Sequence, residues 1–272
     1  VLVVITCRPE FQHSWNADHH ITLVTLSRLN RELRTTLVER VAGRTELPRE
    51  LIEEIIVKTD GVPLFLEELT KAVIESNLLT EKQGRYVFTG PWRQLAIPAT
   101  LTDSLMARID RTGPFKKIAQ IGATIGREFS YKILRSVADA PTDHIEAALE
   151  HLEEAGLIIC RGVPPDASYT FKHVMIQNAA HFSLLHSERR RLHARIAAVL
   201  SEIYPEKAER EPELLAYHLT ESGQSNPAVR SWLKAGKQAA RLSANLEAIG
   251  HLRHGMAVIQ GNPDMPSRDE LE

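Results

Sequence analysis

The sequence of 272 residues is poor in cysteine and in aromatic side chains, and it contains no long apolar run. Cys7 and Cys160 follow no metal-binding or disulfide spacing, which is typical of a reducing compartment. No apolar run approaches the ~20 residues that cross a bilayer, and no charged leader precedes the first apolar segment. We therefore expect a cytoplasmic protein without a membrane span or a signal peptide.

An excess of charge of one sign is also lacking, since the formal net charge is -2. This balance gives no electrostatic case for general affinity to nucleic acid or to membranes. The apolar and charged fractions are those of a globular protein, and the length allows more than one hydrophobic core.

Catalytic motifs are missing as well. A Gly-Lys pair at Gly236 continues into glutamine and has no glycine five positions before it, so no GxxxxGK[ST] phosphate loop is present. No acidic strand end precedes Val1 to hold Mg²⁺. His251 and His254 lie three positions apart, but no third metal ligand is evident. We expect this chain alone to be catalytically inactive and to bind no cofactor tightly.

What the sequence does contain begins with an apolar run at residues 1–5, made of β-branched residues and leucine. Such a run is typical of a strand buried on both faces of a parallel sheet, whose neighbours need crossover connections. No second run of this kind follows, although residues 21–26 predict a short edge strand, and the chain begins with Val1. We therefore expect residues 1–26 to be the end of an α/β core whose upstream sheet is missing.

Arg8 follows the first predicted strand, at the carboxyl end where open α/β sheets bind ligands. A guanidinium there can offer a planar fork of donors to phosphate oxygens. The alternative is a surface arginine that pairs with Glu10 or lies in solvent. The residues by themselves favour the surface arginine.

Residues 27–79 predict three short helices. Ser27 is expected to cap the first helix, Pro48 to begin the second, and Pro63 to begin the third. Gly61 can end the second helix in a left-handed conformation, and the residue before Pro63 is pushed out of the α region. The resulting Gly-Val-Pro corner is either a rigid platform for a ligand or simple punctuation between two helices.

Residues 80–100, rich in Gly, Pro and Thr, predict a connector with a brief strand at residues 86–88. Residues 101–174 predict several helices followed by a hairpin, which is a winged-helix arrangement. In such folds the helix before the wing usually enters the major groove of DNA. Here that helix has no Lys or Arg and carries Asp143, Glu146, Glu150, Glu153 and Glu154. Because these carboxylates oppose phosphate binding, we interpret the unit as a packing element and expect no specific DNA binding.

Residues 175–272 predict a helical region. A long helix at residues 187–203 carries an arginine cluster opposite an apolar face, which favours a solvated or domain-bridging surface. Paired amphipathic helices follow at residues 214–220, 228–242 and 246–259. Small residues would let these helices approach closely, as at the start of a tetratricopeptide-like array: Ala235, Gly236, Ala239 and Ala240.

Three segments together resemble a known family. GVPLFLEELTKAVIES, with VLVVITCRPEF upstream and IPATLTDSLMARID downstream, is similar to the STAND class of AAA-related signalling ATPases. The similarity is to the ATPase modules behind bacterial class III adenylate/guanylate cyclase domains, with LuxR-type regulators as cousins. The stretch FKHVMIQNAA also resembles the junction after the wing in these proteins.

The resemblance implies a mainly α fold: a truncated NTPase core, a helical lid, a winged helix and a TPR-like array. It implies that Gly61 and Pro63 form the corner that lies against the adenine of ATP or ADP, and that Arg8 reads the terminal phosphate. Mg²⁺, the upstream core and an attached cyclase domain would belong to the intact protein, and protein partners would bind the array. The alternatives are a nucleotide-independent helical interaction scaffold and a DNA-binding regulator.

Overall fold

The structure is a computed structural model that describes residues 2–7, 22–43, 45–76, 79–89, 98 and 100–261. This part of the chain is mainly α-helical, as predicted. Its elements in chain order are α1 Arg31–Ala42, α2 Arg49–Thr59, α3 Pro63–Ile74, β1 Leu79–Lys82, β2 Arg85–Phe88, α4 Leu101–Arg111, α5 Lys116–Ile125, β3 Glu128–Ser130, α6 Tyr131–Val137, α7 Thr142–Glu154, β4 Ile158–Arg161, β5 Ser168–Phe171, α8 Val174–Phe182, α9 His186–Glu202, α10 Pro205–Arg210, α11 Pro212–Ser222, α12 Ser225–Arg241 and α13 Asn245–Gln260.

The two strands predicted near the beginning of the chain are not formed. Residues 2–7 and 22–26 have no ladder partner among the described residues, and their apolar side chains are exposed. A strand is defined by its hydrogen-bonded neighbour, so an apolar run without a partner stays irregular. The expectation of a buried terminal strand depends on an upstream sheet, so it stays a prediction.

The helices α1 to α3 form one small unit around a core that includes Val38, Leu51, Ile55, Leu66 and Leu69. Asn30 rather than Ser27 caps α1, because the Asn30 side chain accepts the Leu33 N–H at 2.9 Å. The helix α2 follows Pro48 and α3 begins at Pro63, as predicted.

The predicted connector contains a hairpin. Strand β2 confirms the expected strand, and it pairs in antiparallel fashion with β1, from Leu79 opposite Phe88 to Lys82 opposite Arg85. The turn residues Gln83 and Gly84 both have positive φ, which is the two-residue geometry that suits a right-handed hairpin twist. The polar strand β1 had no apolar alternation by which to predict it.

The helices α4 to α7 precede the hairpin β4–β5, which confirms the predicted order of helices and hairpin. The short strand β3 was not predicted. It joins the hairpin in a three-stranded antiparallel sheet with the order β3-β5-β4. The shared core includes Leu105, Leu134, Ile145, Leu152 and Phe171.

The remaining helices confirm the predicted helical region, with bounds shifted by a few residues. Helix α9 packs on α11, α11 on α12, and α12 on α13. The small residues act as predicted: an added Cβ at Gly236 would lie 2.8 Å from Cγ of Leu252, so α12 and α13 are in close contact there. Among the described residues, no helix is both long and apolar enough to span a membrane.

Candidate functional site

The Gly-Val-Pro corner forms where α2 ends. Asp60 and Gly61 both have positive φ, 47° and 72°, and the Val62 N–H closes the turn on the Thr59 carbonyl at 3.0 Å. Val62 is extended, and Pro63 occupies the first turn of α3, where its missing N–H costs no hydrogen bond. The chain thus reverses within two residues, with the left-handed stretch one residue longer than predicted.

Residues before α1 and in its first turns contact the corner. The Leu29 N–H donates to the Gly61 carbonyl at 3.1 Å, and the Leu29 carbonyl accepts from Nε of Arg34 at 2.6 Å. An added Cβ at Gly61 would lie 2.5 Å from that Nε, so the guanidinium rests on the bare Cα. Arg28 forms an ion pair with Asp60. The positive φ therefore favours glycine here, and an added Cβ would displace the guanidinium of Arg34, the end of a flexible side chain.

The corner presents an apolar edge to the surface. Gly61 is buried, whereas Val62 and Pro63 are exposed. The Arg28 guanidinium pairs with Asp60 of the corner, and the Arg34 guanidinium lies against Gly61. Each has more N–H donors than its one polar contact uses. A rigid apolar edge beside two arginines has the chemistry to receive a flat ring that carries an anionic group.

The structure brings together two of the three residues that the sequence nominated, Gly61 and Pro63. Arg8, the third, lies outside the described residues. Sequence reasoning missed Leu29 and Arg34, which fix the corner from 27 or more positions away. The one available signal was Gly61 itself, since a glycine with positive φ often marks a close approach by another group.

Gly61→Ala tests how tightly the corner is held. We expect a loss of about 2 kcal/mol of unfolding free energy, from left-handed strain of ~1–2 kcal/mol and from displacement of Arg34. Urea denaturation gives this value. The matched control is Gly84→Ala, because Gly84 also has positive φ, 77°, but has open space around the added Cβ. Equal losses in both variants would mean that Arg34 contributes nothing to the corner.

A buried ion pair lies on α3 directly behind the corner. The Glu68 carboxylate accepts from Nη1 of Arg108 on α4, and the two side chains are 2% and 4% exposed. Nη2 of the same arginine donates to the Ala155 carbonyl just after α7. One side chain therefore connects the unit of α1 to α3 with the helices and hairpin that follow. Sequence reasoning missed this pair.

Positive charge exceeds negative charge around this pair. Lys71 Nζ lies 3.9 Å from the second oxygen of Glu68. Burial lowers the pKa of Lys71, Glu68 opposes this shift, and the positive charges of Arg108 and Lys172 add to it. Nε of Arg108 is buried and has no hydrogen-bond partner in the part of the chain that the structure describes. The single carboxylate is thus the main compensation for a buried guanidinium.

A chain of three histidines lies deeper in the molecule, on α8, α9 and α11. Nδ1 of His193 is 2.9 Å from Nδ1 of His218, and its Nε2 is 3.3 Å from Nε2 of His181. His193 and His218 are fully buried. Because both nitrogens of His193 face different partners, the rings do not converge on one point. Within the described ranges, no group of three or more His, Cys, Asp or Glu residues has the geometry of a metal site.

Comparison with known proteins gives little functional information. No protein-family model matches the chain. An uncharacterized protein of Rhizobium meliloti (strain 1021) is 25% identical over 264 residues, which cover 94% of this chain and 25% of that protein. The chain therefore spans about a quarter of the length of the curated relative it matches. This similarity assigns no family and carries no activity over to this chain.

Proposed function

We propose that the chain is the C-terminal part of an ATP-dependent signalling switch of the STAND type, with the Gly-Val-Pro corner as its nucleotide contact. The observation that carries the proposal is the exposed edge of Val62 and Pro63, held rigidly at the start of α3. Helix α3 also carries Glu68, which is locked to Arg108 on the next unit. A displacement of the corner would therefore be transmitted to α4 through the buried ion pair of Glu68 and Arg108.

The residues of the corner fit the base end of ATP or ADP. Val62 and Pro63 would hold the adenine by apolar contact, and Arg28 and Arg34 would supply donors beside it. The sequence has no phosphate loop, so the phosphates and Mg²⁺ would be held by an upstream core, with Arg8 at the terminal phosphate. A nucleotide that prefers one position of α3 would shift the balance between closed and open arrangements.

The finer architecture belongs to the same proposal. Helices α1 to α3 would form the lid, α4 to β5 a winged helix that packs rather than binds DNA, and α11 to α13 the start of a TPR-like array that receives partners. Two carboxylates of α7 accept hydrogen bonds from within the chain: Glu146 from the Tyr131 hydroxyl at 2.7 Å, and Glu153 from the Cys160 N–H at 3.1 Å. The others would repel a DNA phosphate. An attached cyclase would be the effector.

A nucleotide-independent interaction scaffold is the second candidate. The observation that favours it is a surface of α13 on which three large apolar side chains are exposed: Leu246, Ile249 and Met256. Exposed apolar residues in a row are typical of surfaces that another helix or protein covers. In this case the corner would be a helix junction only.

Pro63→Ala in the full-length protein distinguishes the two candidates. We expect ATP and ADP affinities to fall by a similar factor, about tenfold, because the rigid ring is lost while helix propensity is kept. Arg8→Ala should instead reduce the preference for ATP over ADP, because it removes a charge-assisted contact to the terminal phosphate. Calorimetric titration with each nucleotide, beside melting temperatures, measures both effects.

The matched control is Pro205→Ala, since Pro205 is exposed and occupies the first turn of α10, far along the chain from the corner. It should leave both affinities unchanged. Unchanged affinities in Pro63→Ala as well would contradict the switch and favour the scaffold. The chain of 272 residues by itself should bind ATP only weakly, so micromolar affinity of this chain would also count against the proposal.

A further inference from the structure

Helix α12 carries a row of basic residues along one face. Arg230, Lys234, Lys237 and Arg241 are spaced by four, three and four positions, which places them on the same side of the helix. They line a groove of about 500 Å³ together with Glu209 from α10. The row does not contribute to the hydrophobic core, which α12 reaches through its opposite face with Ala228, Trp232, Ala235 and Ala239.

The positive charge of this row is largely uncompensated. Glu209 pairs with Lys234 and is the one acidic residue among the described residues that line the groove. Arg230, Lys237 and Arg241 form no ion pair with any residue of the described part of the chain. Like charges four positions apart on a helix repel each other and destabilise it. An anionic partner would remove this repulsion, so the groove has the electrostatics of a binding surface.

The dimensions and chemistry of the groove favour a peptide over a nucleic acid. From Arg230 to Arg241 the helix rises by roughly 17 Å, which matches about five residues of extended chain. None of the described residues that line the groove is aromatic, so they offer a single-stranded nucleic acid no stacking platform. Leu233 offers an apolar surface between the cations, and the Gln238 amide is held by its bond to the Arg210 carbonyl at 3.1 Å.

We propose that this groove binds a short acidic segment of a protein partner, about five residues long, with carboxylates toward the basic row and an apolar side chain toward Leu233. The inference does not depend on nucleotide binding at the corner. It identifies one surface of the helical region, and the chemistry of the segment that would occupy it.

The experiment is a fluorescence-anisotropy titration of the 272-residue chain with a labelled peptide, Asp-Glu-Leu-Glu-Asp, at low and physiological salt. The test variant is Lys237→Glu with Arg241→Glu. The matched control is Arg191→Glu with Arg195→Glu, an exposed pair on α9 with the same spacing and the same change in net charge. Circular dichroism of both variants should show an unchanged helix content.

We expect saturable binding that weakens by about tenfold in the groove variant and by less than about twofold in the control, since two attractive contacts become repulsive. A peptide with lysine in place of each acidic residue should not bind. Equal weakening in both variants, or no saturable binding of the acidic peptide, would overturn the proposal. Tighter binding of a labelled uridine pentanucleotide, lost in the groove variant, would overturn it in favour of nucleic acid.

Discussion

Glu68→Gln is expected to destabilise the folded chain by about 3 kcal/mol, one of the two largest effects that we predict. The substitution keeps the size of the side chain but leaves the Arg108 guanidinium buried without a counter-charge. Breaking a buried pair from one side typically costs about 3–5 kcal/mol, whereas an exposed pair costs less than about 1 kcal/mol. Urea denaturation followed by circular dichroism measures the difference.

Glu75 and Arg111 provide a control on the same two helices. Glu75 caps α3, Arg111 ends α4, and they form an ion pair at 3.3 Å in which Glu75 is 43% and Arg111 is 37% exposed. Glu75→Gln should cost less than about 1 kcal/mol because water replaces the lost contact. A similarly small cost for Glu68→Gln would mean that the buried pair does not hold the two units together.

A double variant separates packing from charge. Glu68→Leu with Arg108→Met removes both charges, and apolar replacement of a buried pair is often neutral or stabilising. Recovery should nevertheless be incomplete, because the partly buried Ala155 carbonyl loses its donor, at a cost of about 1 kcal/mol. In the full-length protein, a recovered stability together with weakened nucleotide switching would assign the pair to communication between the units.

The comparison of sequence and structure shows which features local pattern can predict. The helices α2, α3, α5 and α7 were predictable because apolar residues recur at helical spacing between clear start and stop signals. The Gly-Val-Pro corner was predictable from the conformational limits of glycine, of proline and of the residue before proline, although the left-handed conformation of Asp60 was not. Strand β1 was not, because its sequence Leu-Thr-Glu-Lys is polar and its pairing depends on the turn at Gln83 and Gly84.

The contacts that define the candidate site were beyond local pattern. Leu29 and Arg34 reach Gly61 across two helices, and Glu68 meets Arg108 across 40 positions. Neither contact leaves a periodic signal, because a single arginine or glutamate on a helix is usually solvated. The predicted strand at residues 1–5 depends on a similarly distant contact. An apolar run indicates burial, but the neighbour that buries it is set by tertiary structure.

The histidine chain gives the second large prediction, which is a loss of stability in mild acid. Burial lowers the pKa of His193 to about 4, and the positive charges of His181 and Arg189 add to this shift. Burial also lowers the pKa of His218 to about 3, with His193 adding to the shift and the Ile125 backbone opposing it. Both values lie below the ordinary histidine pKa of roughly 6.5.

The sign of the effect follows from which state binds more protons. Between roughly pH 6.5 and pH 4, histidines of the unfolded chain are protonated while His193 and His218 in the folded chain stay neutral. The free energy of unfolding must therefore fall as the pH falls through this window. One pKa unit corresponds to about 1.4 kcal/mol, so each fully buried histidine contributes roughly 2 kcal/mol of loss between pH 7 and pH 5.

His193→Gln isolates this contribution from that of the carboxylates, which also titrate in acid. Glutamine can replace one imidazole hydrogen bond but does not titrate, so the variant should lose roughly 2 kcal/mol of the pH dependence between pH 7 and pH 5, whatever its stability at pH 7. The control is His186→Gln, because His186 is exposed at the first position of α9. Urea denaturation at several pH values gives both slopes. If His193→Gln keeps the pH dependence of the unchanged chain, then His193 binds a proton as readily in the folded state as in the unfolded state. The proposal of a neutral histidine chain between α8, α9 and α11 would then be wrong.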